Sequence, residues 1–197
     1  MHHLNIYNGG VYSAVNPLLG CTSLAGNFPL RLGDKLINAG LFARVVFVPI
    51  AIGATPIAQW ATGGALQDRI ATAYRRCVAV GLPVTGVLWH QGETDADSVI
   101  SQATYQAALS SVIDRTRLAG FSEPFFVAKV AYPFNTSASN VRAAQAAVIN
   151  HGNEIWEGPD TDTLTGANRD GGNVHFSAAT GANNHADAWK TAIDARF

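Results

Sequence analysis

Apolar positions recur along this chain in two rhythms. From Pro29 to Ala39, Leu32, Leu36 and Ile37 share one face of a 3.6-residue period and Gly40 stands at the stop, which predicts a helix. Leu66, Ile70, Ala73, Cys77 and Val80 repeat that spacing, as do Tyr105, Leu109, Val112, Ile113 and Leu118; Val141–Ile149 and Ala178–Phe197 predict two further helices. Between these lie short continuous apolar runs. Ala43–Ile50 and Val84–Trp89 read as strands buried on both faces, and Phe125–Val130 as a third strand. Helices alternating with buried strands predict an α/β protein with a mainly parallel sheet, in which these three strands are neighbours covered by helices on both faces. No repeat, low-complexity tract or charge block interrupts the pattern, so residues 1–197 are expected to form one domain.

The composition narrows the partners. Hydrophobic residues make up 48% and charged residues only 14%, with 13 Lys plus Arg against 14 Asp plus Glu and a net charge of −1. Such a surface suits neutral, hydroxyl-rich ligands and offers no basic stripe for nucleic acid. The longest apolar run, Val45–Ile52, is far too short to span a membrane, and the first residues lack a signal-peptide pattern. Two cysteines, Cys21 and Cys77, make neither a disulfide framework nor a metal cluster. Walker, dinucleotide and zincin motifs are absent from the sequence, and no cofactor is expected.

In parallel α/β sheets chemistry gathers beyond the carboxyl ends of the strands. Three segments fall there: Ile52-Gly53-Ala54-Thr55, His90-Gln91-Gly92-Glu93-Thr94-Asp95, and Asn173-Val174-His175-Phe176-Ser177. A glutamine amide can donate to a developing oxyanion, and a carboxylate can orient a catalytic imidazole. The same polar block reads equally as a loop capping the next helix. His175, just ahead of Ser177 as an expected N-cap, reads either as a general base or as a capping histidine, with Asp170 or Glu93 to hold its Nδ1–H. The spacing of His90, Glu93 and His175 does not support a metal site.

Asn16-Pro17-Leu18-Leu19-Gly20-Cys21, Val48-Pro49-Ile50-Ala51-Ile52-Gly53 with Gln59-Trp60, and Leu88-Trp89-His90-Gln91-Gly92-Glu93-Thr94-Asp95 resemble the carbohydrate-esterase branch of the SGNH/GDSL hydrolases, the sialate O-acetylesterase and acetylxylan esterase type. Gly158-Pro159-Asp160-Thr161-Asp162-Thr163-Leu164 and Val174-His175-Phe176-Ser177 are similar to its C-terminal blocks, so the resemblance runs in order over nearly the whole chain. It implies a flavodoxin-like three-layer α/β/α fold, a serine nucleophile and an acetylated carbohydrate substrate. It further implies His175 as the base, Glu93 or Asp170 as its acid partner, Gly53 and Gln91 as oxyanion donors, and Trp60 and His90 as substrate contacts. These groups are expected to converge at one end of the sheet.

Three departures qualify the resemblance. The family's Gly-Gly-Thr is Gly53-Ala54-Thr55 here, and alanine resists the positive φ that glycine allows. The aspartate usually three residues before the histidine is Gly172, so Asp170 can serve only if the loop bulges. The first block, a strand ending in Gly-Gln-Ser-Asn or Gly-Asp-Ser, has no counterpart before Asn16. Ser13 and Ser23 lack a strand-to-helix elbow, and Gly33-Asp34-Lys35-Leu36 imitates the signature inside a helix. Two expectations follow. One is an acetylesterase whose nucleophile strand comes from another segment or chain; the other is a non-catalytic, carbohydrate-binding descendant of the fold.

Overall fold

The computed structural model describes residues 1–22, 28–132 and 137–197. In chain order the strands are β1 (His2–Leu4), β2 (Val11–Ser13), β3 (Val46–Phe47), β4 (Val87–Trp89), β5 (Phe125–Lys129) and β6 (Ile155–Asp160). The helices are α1 (Pro29–Asn38), α2 (Asp68–Ala79), α3 (Glu93–Asp97), α4 (Gln102–Ala119), α5 (Ser139–Ala147) and α6 (Thr180–Asp194). Every helix expected from the 3.6-residue rhythm is present, and the α/β class with mainly parallel pairing is the one found. The chain divides into two compact units, Met1–Gly53 with Thr163–Phe197, and Ala54–Asp162.

In the first unit β1 pairs parallel with β3 and antiparallel with β2. The apolar run Ala43–Ile50 yields only the two paired residues Val46 and Phe47, both half-buried rather than buried on two faces. Its partner β1 ends at Leu4, and Pro49 has no N–H to continue a ladder. The strand therefore belongs to the sheet of β1 and β2, while β4 and β5 belong to another, which corrects the expected adjacency of all three. Helix α1 buries Leu32 and Leu36, and α6 buries Ala182, Ala186, Trp189 and Ile193. The imitation signature Gly33–Leu36 lies inside α1, where Lys35 Nζ reaches Asp187 on α6 at 2.6 Å. Ser177 accepts the Gly181 N–H at 2.8 Å and so caps the first turn of α6. Ser23 lies outside the described residues.

In the second unit β4, β5 and β6 are all parallel, with β5 central. Phe125, Phe126, Val127 and Ala128 are buried, because a central strand is covered on both faces and so tolerates an unbroken apolar run. Edge strand β4 is half-buried and forms only over Val87–Trp89, shorter than the run Val84–Trp89 suggests. Strand β6 (IWEGPD) was not among the predicted strands, since Gly158 and Pro159 look like punctuation. On the edge of a sheet Pro159 need not donate on its open side. The missing Cβ of Gly158 lets β6 approach β5, where an added Cβ would lie 2.7 Å from Ala128 N. Helix α4 packs against α2 and α5, and α5 lies against β5. Cys77 is a buried free thiol whose pKa burial raises, and the Cys21 thiol donates to Leu18 O at 3.5 Å.

Candidate functional site

The residues implicated by sequence divide between the units: Trp60, His90, Gln91 and Glu93 in the second, Gly53, Asp170 and His175 in the first. Each group has a defined local setting.

At the carboxyl end of β4 the chain turns through His90, Gln91 and Gly92 into the short helix α3. Gln91 Nε2 donates to Asp95 Oδ2 at 2.5 Å and to the Thr55 carbonyl at 3.2 Å. Asp95 is buried (2% exposed), and its Oδ2 also accepts the Ile57 N–H at 2.8 Å. Burial pushes the Asp95 carboxyl above the usual carboxylate range; the hydrogen bonds from Gln91 and Ile57 pull it back, and nearby Glu93 adds to the rise. The Tyr105 hydroxyl donates to Gln91 O at 2.6 Å and lies 3.0 Å from its Oε1. Gln145 on α5, 1% exposed, closes the network: Nε2 donates to Val130 O and Gln91 O, and Oε1 accepts the Val130 N–H. Gly92 admits this approach, since a Cβ there would sit 2.0 Å from the Val130 carbonyl oxygen. Gln91, Asp95, Tyr105 and Gln145 thus form one hydrogen-bonded network, with Glu93 opening α3.

His90 Nε2 lies 3.0 Å from Thr161 Oγ1, at the end of β6. Beside it Arg142 grips Asp160 through both terminal nitrogens, at 2.8 and 2.5 Å, and Asp162 at 2.8 Å. Asp162 also accepts the Ala131 N–H and the Ser137 hydroxyl. Trp60, expected to face a sugar, is instead 3% exposed. Its indole N–H donates to Thr55 Oγ1 at 2.9 Å and its ring meets Trp89 edge-on at 5.8 Å, so it serves the interior.

In the first unit the segment Arg169–Phe176 closes as a hairpin, with an antiparallel bridge between its ends and the Asp170 N–H bonded to His175 O at 2.9 Å. Asn173 takes φ 56°, and Asp170 Oδ1 accepts the Gly172 N–H. This is the bulge that five intervening bonds require: His175 Nδ1 lies 3.4 Å from Asp170 Oδ2, with the histidine side chain 83% exposed. Arg169 braces the hairpin by donating to Leu164 O and Val174 O while its guanidinium lies 4.1 Å above the Phe176 ring. The Gly53 N–H donates to Thr22 Oγ1 at 2.5 Å. Ala54, which opens the second unit, takes the left-handed conformation at φ 57°, the positive φ that alanine resists and glycine allows. Among the described residues no three His, Cys, Asp or Glu side chains gather as a metal site.

Sequence reasoning passed over Tyr105, Gln145 and Arg142. Tyr105 reads as one more apolar position on α4, and Gln145 as an interruption of the apolar face of α5. A polar residue at a core-facing helical position is the signal that marks a buried network.

The chain resembles several solved structures. A protein from Arabidopsis thaliana matches over 100% of this chain and 81% of its own, at 20% identity and TM-score 0.81. An acetyl esterase with a serine-to-alanine substitution, solved with acetate, matches over 89% of this chain and 91% of its own, at 14% identity and TM-score 0.63. A carbohydrate acetylesterase from Xanthomonas citri matches over 83% of this chain and 39% of its own, at 16% identity and TM-score 0.57. These likenesses establish the fold, that of the SGNH-type esterases. No curated protein sequence matches the chain. The sequence profile described as carbohydrate esterase, sialic acid-specific acetylesterase, matches residues 29–185, and with most of the chain covered, from α1 through the middle of α6, the protein belongs to that carbohydrate esterase family.

Proposed function

We propose that the protein is a carbohydrate O-acetylesterase in which His175 is the base and Asp170 its orienting carboxylate. The observation that supports this is the 3.4 Å approach of Asp170 Oδ2 to His175 Nδ1 across a closed hairpin. A carboxylate on Nδ1 selects the tautomer whose Nε2 accepts a proton, and the exposed ring leaves Nε2 open to a hydroxyl. In this reading Nε2 takes the proton of a serine hydroxyl as its oxygen adds to the acetyl carbonyl. The imidazolium returns that proton to the departing sugar oxygen, and water then releases acetate by the same route. Gly53 is the main-chain oxyanion donor; its present acceptor, Thr22, is exposed and is readily taken over by water. Gln91 is the side-chain donor, through the N–H whose contact to Thr55 O is the longer of its two. His90 is the substrate contact, and Asp95 holds the Gln91 amide in orientation.

Among the described residues of the first unit neither Ser13 nor Ser177 hydrogen-bonds a histidine: Ser13 lies on exposed β2 and Ser177 caps α6. In this reading the nucleophile is carried by a strand ending in Gly-Gln-Ser that another segment or chain supplies. A second reading, a carbohydrate-binding descendant without chemistry, is favoured by the N–H groups of Gln91 and Gly53 already having acceptors in the chain. Fluorophosphonate labelling with peptide mapping, alongside acetate release from acetylated xylan, separates the two. With a Gly-Gln-Ser segment supplied, one adduct and acetate release are expected, and His175→Ala lowers the release by at least about 10²-fold. An adduct on Ser13 or Ser23 overturns the nucleophile assignment. Neither adduct nor release in either form, with saccharide binding retained, selects the binding module.

A further inference from the structure

Strand β2 is an edge strand of the sheet β2-β1-β3, and the direction of its main-chain groups follows from the ladder. The register pairs His2 with Ser13, His3 with Tyr12 and Leu4 with Val11. One pair beyond each end, the Asn5 N–H donates to Gly10 O at 2.9 Å and the Ala14 N–H to Met1 O at 3.3 Å. Bonded pairs alternate in an antiparallel ladder, so His3 and Tyr12 are bonded, while Val11 and Ser13 turn their N–H and C=O groups away from β1. Among the described residues no hydrogen bond takes up those four outward groups. All three residues of the strand are exposed, Val11 at 42% and Tyr12 at 43%. The Tyr12 ring lies back along its own strand, over Gly10, with its hydroxyl accepting from Asn8 Nδ2, and so leaves the edge open.

We propose that β2 is the pairing surface for a second copy of this chain, joined antiparallel to its counterpart across a two-fold axis at Tyr12. Val11 of each copy then faces Ser13 of the other as a bonded pair. Each Val11 N–H donates to a Ser13 carbonyl and each Ser13 N–H to a Val11 carbonyl, four bonds in all, while the two Tyr12 residues form the non-bonded pair on the axis. The outward groups of β2 stand one residue to either side of Tyr12, so the edge is its own complement. Charge points to the same partner. Residues 1–30 contain no Lys, Arg, Asp or Glu, so two copies meet without repulsion, and an acidic or basic partner finds nothing there to complement. Sheet edges are commonly guarded by charge or proline. Strand β6 carries Glu157, Pro159 and Asp160, whereas β2 carries neither kind of guard. The inference rests on the edge itself and does not depend on the hydrolytic reading.

Sedimentation equilibrium of the chain, paired with amide hydrogen exchange read residue by residue, tests the pairing. Three paired residues bury less than a standard interface, so a dimer that dissociates at about 10 µM to 1 mM is expected. The Val11 and Ser13 amides should gain protection as concentration rises, whereas the Tyr12 amide, already bonded to His3, should be protected throughout. Ser13→Pro removes an outward N–H that β1 does not use. It is expected to weaken the dimer at least about tenfold at an unchanged thermal midpoint, while Ser13→Ala keeps the N–H and the dimer. Tyr12→Lys sets like charges against each other at the axis, and should abolish the dimer at low salt and partly restore it at high salt. The proposal is overturned if the chain stays monomeric up to about 1 mM. It is equally overturned if the dimer keeps its strength in either folded variant at low salt, or if protection grows elsewhere while the Val11 and Ser13 amides exchange freely.

Discussion

Replacing Gln145 by methionine tests whether the network behind the signature block holds the fold. The two side chains are similar in volume, so the core stays filled and the cavity contribution is small. What changes is hydrogen bonding. Gln145 Oε1 accepts the Val130 N–H at 3.0 Å and Nε2 donates to the Val130 carbonyl at 2.8 Å, while Val130 itself is fully buried. A thioether has no donor and is a weak acceptor, so both main-chain groups lose the partner glutamine supplies. Each unsatisfied buried group costs about 1–3 kcal/mol, which makes about 2–6 kcal/mol for the pair. The Gln91 carbonyl also loses one of its two donors but keeps the Tyr105 hydroxyl. For a protein of this size such a loss moves the urea midpoint by about 1–3 M. Gln145→Glu is the control: a protonated glutamate can both donate and accept, whereas an ionised one cannot donate to Val130 O. Its deficit should therefore widen as pH rises. Tyr105→Phe should couple with Gln145→Met by about 0.5–3 kcal/mol in a double-mutant cycle, because both side chains meet at Gln91 O. An unshifted midpoint in Gln145→Met, or strict additivity with Tyr105→Phe, would refute the network.

Two further outcomes follow from the same unit. Gly92→Ala should cost about 3 kcal/mol or more in thermal unfolding, because its Cβ would lie 2.0 Å from Val130 O and 2.8 Å from Gln145 Nε2. The backbone there is extended at φ 166°, so any loss reports packing and not conformational strain; a parental melting curve would contradict the packing. Asp160→Asn should flatten the acid limb of stability. The Arg142 hydrogen bond holds the Asp160 carboxyl below its ordinary value, so its contribution is present above about pH 4 and is lost as pH falls through the lowered value. The variant should be less stable than the parent at neutral pH, with the difference closing on acidification; a difference independent of pH would sink the assignment.

The sequence by itself determined whatever depends on local rhythm. Helices α2 and α4 carry their apolar residues at a helical period, and β5 is an unbroken apolar run. Those patterns commit a segment to one structure before any distant partner arrives. The blocks around Gln91 and His175 were legible for a related reason, because they are short contiguous runs of residue types with defined chemistry. Tertiary structure decided what depends on neighbours. Ala43–Ile50 has a buried strand's composition, yet it pairs over only two residues because its partner β1 is short and Pro49 cannot donate. Strand β6 has the composition of a turn, yet it forms a strand because a sheet edge tolerates Pro159 and Gly158 admits β5. Trp60 could face a ligand or the interior; Thr55 and Trp89 settle it inward. The pairing of Asp170 with His175 is written in no spacing and arises from a hairpin closed through Arg169 and Phe176. Gln91 meets Gln145 across 54 positions, and such contacts depend on loop closure and close packing, which no local window of sequence contains.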